Sequence, residues 1–167
     1  MQVIGISRTV RPLANFDHMV DHASMLGVLG DVDYLVLTIP YTRATHHIVN
    51  AQFLSHMKPS RYLVNIARGG IVDEHALVGV LETGKILGAG LDVFSVEPLP
   101  PESALCKLEN VILTAHQGGF SDDYVEHAFP VLEENLVAFP AGDLASMVGL
   151  CSGKDSLLVQ DLISGPR

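Results

Sequence analysis

Short apolar stretches recur along the chain at fairly regular intervals. Most of them are continuous apolar runs rather than strict alternations, a pattern typical of strands that are buried on both faces of a parallel sheet. The hydrophobic pattern therefore predicts five strands. They are Val3–Ser7, Tyr34–Ile39, Tyr62–Ala67, Gly88–Phe94 and Val111–His116.

Two of the segments between these stretches have the features of capped helices. Asn50 can cap a helix that ends before Pro59. Asp73 can cap a second helix, for which Gly84 is a suitable C-terminal stop. We therefore expect helices after the second and third strands.

Two further helices complete the alternation of strands and helices. A short one is expected around Met25–Leu29, and a longer apolar stripe runs from Val125 to Phe139. Pro130 lies inside this stripe, so the longer helix should be kinked there or begin nearby. Alternating strands and helices predict right-handed crossovers with helices on both faces of the sheet. The expected fold class is an α/β doubly wound parallel sheet.

Composition and charge exclude several classes of function. The chain has 167 residues, of which 48% are hydrophobic, enough for one domain with a large core. Its net charge of −9 argues against a nucleic acid or an anionic membrane surface as partner. No apolar run is long enough to span a bilayer, and the first residues do not resemble a signal peptide. With only two distant cysteines, Cys106 and Cys151, a cytoplasmic location is expected.

The residues that follow the predicted strands carry the candidate chemistry. Ligands of parallel α/β sheets bind outside the carboxyl ends of the strands, so these residues should share one edge. An arginine, a glutamate and a histidine are thereby expected to face one cleft. The residues at this edge are Ser7, Arg8 and Thr9; Pro40 and Thr42; Arg68, Gly69 and Gly70; Ser95, Val96 and Glu97; and His116, Gln117, Gly118 and Gly119.

Arg68, Glu97 and His116 suit a proton transfer to a carbonyl oxygen. A histidine exchanges protons near neutral pH, and a neighbouring carboxylate fixes the orientation of its ring. An arginine can hold a substrate carboxylate by two hydrogen bonds. Taken alone, such a histidine is more often structural and such an arginine more often solvated or ion-paired. The presence of Arg68, Glu97 and His116 together at one sheet edge favours a functional site. The fold suggests a nicotinamide cofactor as the hydride source.

Three stretches carry a family resemblance. They are "VDYLVLTIPYTRATHHIVN" at 32–50, "YLVNIARGGIVDEHALVGVLETGKILGAGLDVFSVEPLP" at 62–100 and "LENVILTAHQGG" at 108–119. Over roughly residues 1–140 the chain resembles the D-isomer-specific 2-hydroxyacid dehydrogenases, in particular those of the glyoxylate/hydroxypyruvate reductase type. The resemblance implies a Rossmann-like fold and reversible reduction of a small 2-keto acid to a 2-hydroxy acid.

The resemblance also implies roles for individual residues. Arg68 would hold the substrate carboxylate, Glu97 would partner the histidine, and His116 would be the acid/base. Asp92 would hydrogen-bond the nicotinamide carboxamide. Further cofactor-lining positions would be Pro40, Ile66, Ala67 and Gly118.

The choice of cofactor can be argued from the stretch "GISRTVRP". In such folds an acidic residue after the second strand holds the ribose of NAD, whereas an arginine accommodates the 2′-phosphate of NADP. The stretch offers Ser7, Arg8, Thr9 and Arg11 and no carboxylate. We therefore expect NADP to be favoured over NAD.

The chain departs from the family at its beginning. It contains no G-x-G-x-x-G loop, and "MQVIGISRT" resembles the family's second strand. The first strand, its Gly-rich loop and the separate substrate domain are therefore expected to be missing, which makes the chain a fragment with little or no activity. The missing strand would lie between those beginning at Val3 and Tyr34, leaving two open edges that would most simply pair with a second copy.

The sequence also leads to expectations about the domain bounds, the oligomeric state and rival functions. Residues 1–142 should form a partial dinucleotide-binding domain, and 143–167 a loosely ordered tail in which Leu157, Leu158 and Leu162 could form a short docking helix. A homodimer is expected. No metal site is expected, since the histidine pairs His18/His22 and His46/His47 are more simply surface residues. Two rival functions stay open: a non-catalytic cofactor-binding scaffold and an inert truncated product.

Overall fold

The structure, a computed structural model, describes residues 1–143 and 145–148. The chain divides into two compact units, Met1–Gly118 and Gly119–Arg167. The sequence-based boundary near residue 142 stays a prediction, and the tail proposed for 143–167 lies almost wholly outside the described residues.

The first unit alternates strands and helices along the chain, as the sequence pattern predicts. Its strands are β1 (Ile4–Ile6), β2 (His18–Val20), β3 (Tyr34–Leu37), β4 (Tyr62–Asn65), β5 (Gly88–Leu91) and β6 (Val111–Leu113). Its α-helices are α1 (Met25–Val28), α2 (Ala51–Ser55) and α3 (Glu74–Glu82), with short 3₁₀ helices at Gly69–Ile71 and Ala104–Lys107.

Strands β3, β4, β5 and β6 form a parallel sheet in that order. One face of this sheet is buried, because Leu35, Leu63 and Ala89 align across it and contribute to the core. On the opposite face, Val36 on β3 and Ile112 on β6 are 51% and 73% exposed. The expectation of strands buried on both faces is therefore wrong for β3, whose side chains alternate between exposed and buried.

The capped helices form where the sequence predicts them. Asn50 Oδ1 accepts a hydrogen bond from the amide of Phe53 at 3.0 Å at the start of α2. Asp73 Oδ1 accepts one from Ala76 at 3.2 Å at the start of α3. Gly84, with φ of +64°, follows the end of α3 in the left-handed conformation that glycine adopts without strain. Both helices therefore begin at side chains that satisfy otherwise unpaired backbone amides.

The sequence pattern does not predict β2 at His18–Val20. This strand pairs in parallel with β1, so that Ile4 aligns with His18 and Ile6 with Val20. The two strands form a sheet of their own, separate from the four-stranded one. An apolar cleft of about 630 Å³ lies between β1 and β3. The parallel sheet expected from the sequence is thus present in two parts.

The second unit contains α4, which spans Tyr124–Ala138. Pro130 lies inside the helix, so the chain is helical on both sides of the proline. The apolar stripe that predicts this helix is largely exposed, with Phe129 at 60% and Leu136 at 64%. In the described part of the chain, no helix is both long and apolar enough to cross a membrane.

Candidate active site

The turn that carries Arg68 is held by the last residue of β4. Asn65 is almost fully buried, and its Nδ2 donates to the carbonyl oxygen of Arg68 at 3.1 Å. Its Oδ1 accepts a hydrogen bond from the amide of Ala67 at 3.1 Å. A buried amide that is satisfied on both sides fixes the chain direction after the strand. The exposed Arg68 side chain therefore leaves the sheet edge from a rigid turn.

The two glycines after Arg68 are required by close packing. A Cβ atom at Gly69 would collide with the backbone carbonyl of Phe94. One at Gly70 would lie 2.7 Å from the ring of Tyr41. The absence of side chains therefore allows the segment after β4 to contact both the segment after β5 and the one after β3.

Arg68 lines a cavity at the carboxyl ends of β3 and β4. The cavity has a volume of about 600 Å³, which is within the range of small-molecule sites. The lining combines apolar groups with the one guanidinium. It consists of Thr38, Ile39, Pro40, Tyr41, Ile66, Ala67 and Arg68. The structure thus brings together four of the residues that the sequence places in the site.

His116 and Glu97 form a hydrogen-bonded pair. The Nδ1 atom of His116 lies 2.8 Å from Oε2 of Glu97. His116 has a φ of +54°, an uncommon conformation for a residue with a side chain, and its amide donates to the Asp92 carbonyl oxygen at 2.8 Å. Strained residues of this kind cluster at functional sites. Because Nδ1 is engaged with the carboxylate, Nε2 is the ring nitrogen left for a ligand.

The Glu97 carboxylate is stabilised in its ionised form. Its hydrogen bond with His116 is the main cause that lowers its pKa, followed by the hydrogen bond from the amide of Phe94 to Oε1 at 2.9 Å. The positive charge of Arg68 lowers the pKa of Glu97 further. An ionised carboxylate can only accept, so in this hydrogen bond Nδ1 is the donor, and Nε2 is the nitrogen that faces a ligand.

Asp92 organises the loop that carries His116. This buried carboxylate accepts hydrogen bonds from the hydroxyl of Thr114 at 2.5 Å and from the amides of Gln117 at 2.9 Å and Gly118 at 2.7 Å. The bond from Thr114 is the main cause that lowers the pKa of Asp92. A Cβ atom at Gly118 would lie 2.9 Å from Oδ2, so the glycine permits this close approach.

A second carboxylate holds the loop that carries Glu97. Oε1 of Glu74, the first residue of α3, accepts a hydrogen bond from the amide of Ser95 at 2.5 Å. This contact could not be predicted from the sequence, nor could those of Asn65 and Thr114. Each is a polar residue at the end of an apolar element, and its partners lie 2 to 22 residues away. Local patterns do not reveal such partners.

Ser7, Arg8 and Thr9 follow β1, as the sequence predicts. The hydroxyl of Ser7 donates to the carbonyl oxygen of Thr9 at 2.7 Å, which closes a tight turn. Arg8 and Thr9 are exposed. Ser7 lines the cleft between β1 and β3, and this cleft shares Thr38 and Ile39 with the Arg68 cavity. The edge residues of both sheets therefore border adjoining cavities.

Tyr41, which lines the same cavity as Arg68, and its partner His46 were not predicted to belong to the site. The hydroxyl of Tyr41 lies 2.9 Å from Nδ1 of His46. The ring of His46 stacks on that of His47, with 3.9 Å between the ring centroids. The contact with His46 fixes the ring of Tyr41 where it borders the cavity.

Among the described residues, no group of three or more His, Cys, Asp or Glu side chains is arranged to hold a metal ion.

Comparison with known proteins identifies the family. The profile for the "D-isomer specific 2-hydroxyacid dehydrogenase, NAD binding domain" matches residues 1–118, which include β1 to β6 and the candidate site residues from Ser7 to Gly118. The chain belongs to this family. The resemblance stated from the sequence is thereby confirmed, as is the Rossmann-like parallel fold.

Individual relatives agree with this assignment. The chain is 40% identical over 144 residues to a glyoxylate reductase of Pyrococcus horikoshii, and the match covers 86% of the chain and 43% of that enzyme. It is 41% identical over 123 residues to glyoxylate/hydroxypyruvate reductase B of Pectobacterium carotovorum, with 74% and 38% covered. The chain thus spans less than half the length of these curated relatives.

A solved structure supports the same fold. The chain superimposes with a TM-score of 0.78 and 35% identity on a D-isomer specific 2-hydroxyacid dehydrogenase from Xanthobacter autotrophicus in complex with NADPH and MES. The match covers 85% of this chain and 58% of that protein.

Proposed function

We propose that this chain supplies the nicotinamide-binding half and the acid/base residues of a reductase of small 2-oxo acids. The observation that carries the proposal is the pair formed by Nδ1 of His116 and Oε2 of Glu97, a carboxylate whose pKa the charge of Arg68 also lowers. An acid, its orienting carboxylate and a carboxylate-binding arginine are what the reduction of a 2-oxo acid requires of the protein. The relatives named above are glyoxylate and hydroxypyruvate reductases, which agrees with this chemistry.

The residues present suit a nicotinamide dinucleotide. The apolar lining by Pro40, Ile66 and Ala67 offers a surface for a planar ring. Oδ2 of Asp92 accepts one hydrogen bond in the structure, and a carboxylate oxygen has a second lone pair that could accept from a carboxamide. When bound, a reduced nicotinamide would supply a hydride to the substrate carbonyl carbon.

Each catalytic side chain has a separate task in the proposed reaction. Arg68 binds the substrate carboxylate and holds the neighbouring carbonyl towards the histidine. His116 donates the proton on Nε2 to the carbonyl oxygen, which becomes the hydroxyl of the product. Glu97 accepts the hydrogen bond from Nδ1 and stabilises the cationic ring before the transfer. The reverse reaction uses His116 as the base.

The turn after β1 favours NADP over NAD in this proposal. The exposed side chain of Arg8 is positioned after the strand end, and the segment from Ser7 to Arg11 contains no carboxylate. An arginine there can pair with a 2′-phosphate, whereas an acidic residue would hold the ribose of NAD. The NADPH complex of the Xanthobacter autotrophicus protein agrees with this preference.

The test joins this chain to the part of an enzyme that it does not span. The matching segment of the Pyrococcus horikoshii glyoxylate reductase is replaced by this chain, and NADPH oxidation is followed with glyoxylate as substrate. We expect turnover, and we expect His116→Ala to lower kcat by roughly 10²- to 10⁴-fold without loss of NADPH binding. His75→Ala, at an exposed histidine of α3, is the matched control and should leave kcat unchanged.

Two results would contradict the proposal. A joined protein that binds NADPH but shows no turnover would favour a cofactor-binding scaffold. Unchanged turnover in the His116→Ala variant would remove this histidine from the chemistry.

A further inference from the structure

The cavity that contains Arg68 has a second polar side chain in its wall. Tyr41 lines this cavity together with Arg68. Tyr41 belongs to the segment that follows β3, whereas Arg68 belongs to the segment that follows β4. The two residues therefore reach one cavity from neighbouring parallel strands, at the edge where ligands of such sheets bind.

The ring of Tyr41 packs on the turn that carries Arg68. A Cβ atom at Gly70 would lie 2.7 Å from the tyrosine ring and 3.0 Å from its hydroxyl oxygen. The same two segments are joined through the backbone, because the amide of His47 donates to the carbonyl oxygen of Gly70 at 2.9 Å. The tyrosine hydroxyl therefore has a fixed place beside the second residue after Arg68.

The hydroxyl of Tyr41 keeps hydrogen-bonding capacity for a ligand. It is bonded to Nδ1 of His46 at 2.9 Å. A hydroxyl has one donor and two acceptor positions, so at least one acceptor position stays free whichever group donates in this bond. The side chain is 49% exposed, yet both its ring and its hydroxyl are held. A group that is already ordered loses little conformational freedom when a ligand binds to it.

The lining of the cavity divides between the two reactants of the proposed reaction. Its apolar residues suit the nicotinamide ring, and Arg68 suits the substrate carboxylate. Among the described residues that line it, the other polar side chains are Thr38 and Tyr41. Thr38 also borders the cleft between β1 and β3, whereas Tyr41 packs on Gly70 in the turn that carries Arg68. Tyr41 is therefore the polar group best placed for the substrate.

We infer that Tyr41 determines specificity in this reaction by binding a hydroxyl group on carbon 3 of the 2-oxo acid, an inference that rests on the proposed function. The carbon-3 substituent of such an acid is attached to the carbonyl carbon, next to the carboxylate that Arg68 binds. The tyrosine oxygen accepts the hydrogen bond from this substrate hydroxyl. The favoured substrates are 3-hydroxy-2-oxo acids, of which hydroxypyruvate is the smallest, because a methyl group in the same place leaves the tyrosine without that partner.

The exposure of Tyr41 sets the size of the expected preference. A fully buried hydroxyl left without a partner would reject the wrong substrate strongly. The hydroxyl of a half-exposed tyrosine can bond to water instead, so the net contribution is that of one ordinary hydrogen bond. We therefore expect a preference of about tenfold.

The test uses the joined protein described above and two substrates that differ only in the hydroxyl group, hydroxypyruvate and pyruvate. Tyr41→Phe removes the hydroxyl and keeps the ring. It should lower the ratio of kcat/KM for hydroxypyruvate to that for pyruvate about tenfold and leave the value for pyruvate unchanged. A general loss of structure would lower both values. Tyr34→Phe, at the opposite end of β3, is the matched control and should leave the ratio unchanged.

A second variant tests the hydrogen bond that holds the tyrosine. His46→Ala removes the partner of the Tyr41 hydroxyl and should also lower the ratio. Added to Tyr41→Phe, it should have no further effect, because both changes act on the same hydroxyl. A further decrease of the ratio in the double variant would contradict a role of His46 through Tyr41.

Binding measurements separate this inference from the proposed function. Dissociation constants of both acids are measured by calorimetry in the presence of oxidised NADP, with which no reduction can occur. Tighter binding of hydroxypyruvate that is lost in Tyr41→Phe supports the inference, whether or not the protein shows turnover. The inference is overturned if the unchanged protein shows no preference for hydroxypyruvate, or if a folded Tyr41→Phe variant keeps the preference. Turnover of both substrates in that case would leave the proposed function intact.

Discussion

At the scale of single residues, the site is built by polar side chains that hold loops rather than by the catalytic groups alone. Asn65 fixes the turn before Arg68, Asp92 fixes the loop around His116, and Glu74 holds the amide of Ser95 near Glu97. Arg68, Glu97 and His116 could be proposed as catalytic residues from the sequence because their order along the chain is distinctive. Their supporting residues could not, because each acts through a contact that exists only in the folded chain.

The contact of Glu74 gives a prediction about Glu97. In a Glu74→Ala variant the segment Phe94–Glu97 loses a hydrogen bond and should hold Glu97 less firmly against His116. The pKa of the Glu97 carboxyl should then rise towards its ordinary value, because the bond with His116 is the main cause of its lowering. Carbon-13 NMR titration of the carboxyl groups measures this change.

Glu74→Gln is the matched variant for this experiment. Its side-chain oxygen can still accept from the amide of Ser95, so the pKa of Glu97 should stay close to that of the unchanged chain. Equal pKa values of Glu97 in all three proteins would show that Glu74 does not position the loop.

At the scale of elements, local signals predict where helices begin better than where strands end. The caps at Asn50 and Asp73 form as expected, since an N-cap side chain bonds within its own helix. The strands are shorter than predicted; β5, for example, ends at Leu91 although Val93 and Phe94 beyond it are buried. Apolar residues indicate burial rather than strand structure. Buried loop residues that follow a strand therefore lengthen the apolar run beyond the end of the strand. β2 was missed because it has only three residues, of which His18 is exposed and Met19 and Val20 are half-buried, so that it gives no apolar run.

The cap of α3 gives a prediction about stability. Asp73→Ala removes the bond to the amide of Ala76 and should lower the free energy of unfolding by about 1 kcal/mol. Asp73→Asn keeps a capping oxygen and should change it by only a few tenths of a kcal/mol. Urea unfolding followed by circular dichroism measures both. A loss as large in the asparagine variant would mean that charge, rather than capping, stabilises the start of α3.

At the scale of the whole molecule, the sequence predicts a parallel α/β fold, and the family resemblance predicts two open strand edges, on the strands beginning at Val3 and Tyr34. The profile match covers residues 1–118, and the same residues form the first compact unit. In the described residues β1 pairs only with β2 and β3 only with β4, which agrees with that expectation; the pairing of these edges with a second copy stays a prediction.

Acid should destabilise the folded chain through two carboxylates. The pKa values of Asp92 and Glu97 are lowered in the folded state from ordinary values of 3.8 and 4.5. Their contribution to stability is therefore complete above about pH 5 and is lost as the pH falls through the lowered pKa values. The free energy of unfolding can be measured by urea unfolding at a series of pH values. The contribution of these two carboxylates to it should be constant near neutral pH and should decrease in acid.

Asp92→Asn separates the contribution of one of these groups. It should lower the free energy of unfolding at neutral pH by about 1–3 kcal/mol, because a buried amide replaces an acceptor of three hydrogen bonds. The decline in acid should also become less steep. An acid profile as steep as that of the unchanged chain would contradict the role given to Asp92.

The central claim is that the carboxyl edges of both sheets form one nicotinamide dinucleotide site. The most direct test is a titration of NADPH into the isotopically labelled chain, with amide shifts followed by NMR. The account predicts saturable shifts at Arg8, at Ile66–Arg68 and at Gly118. It also predicts weaker binding of NADH, and an affinity for NADPH about tenfold lower in Arg8→Ala but unchanged in Arg11→Ala. No shifts, or shifts confined to residues away from these edges, would contradict it.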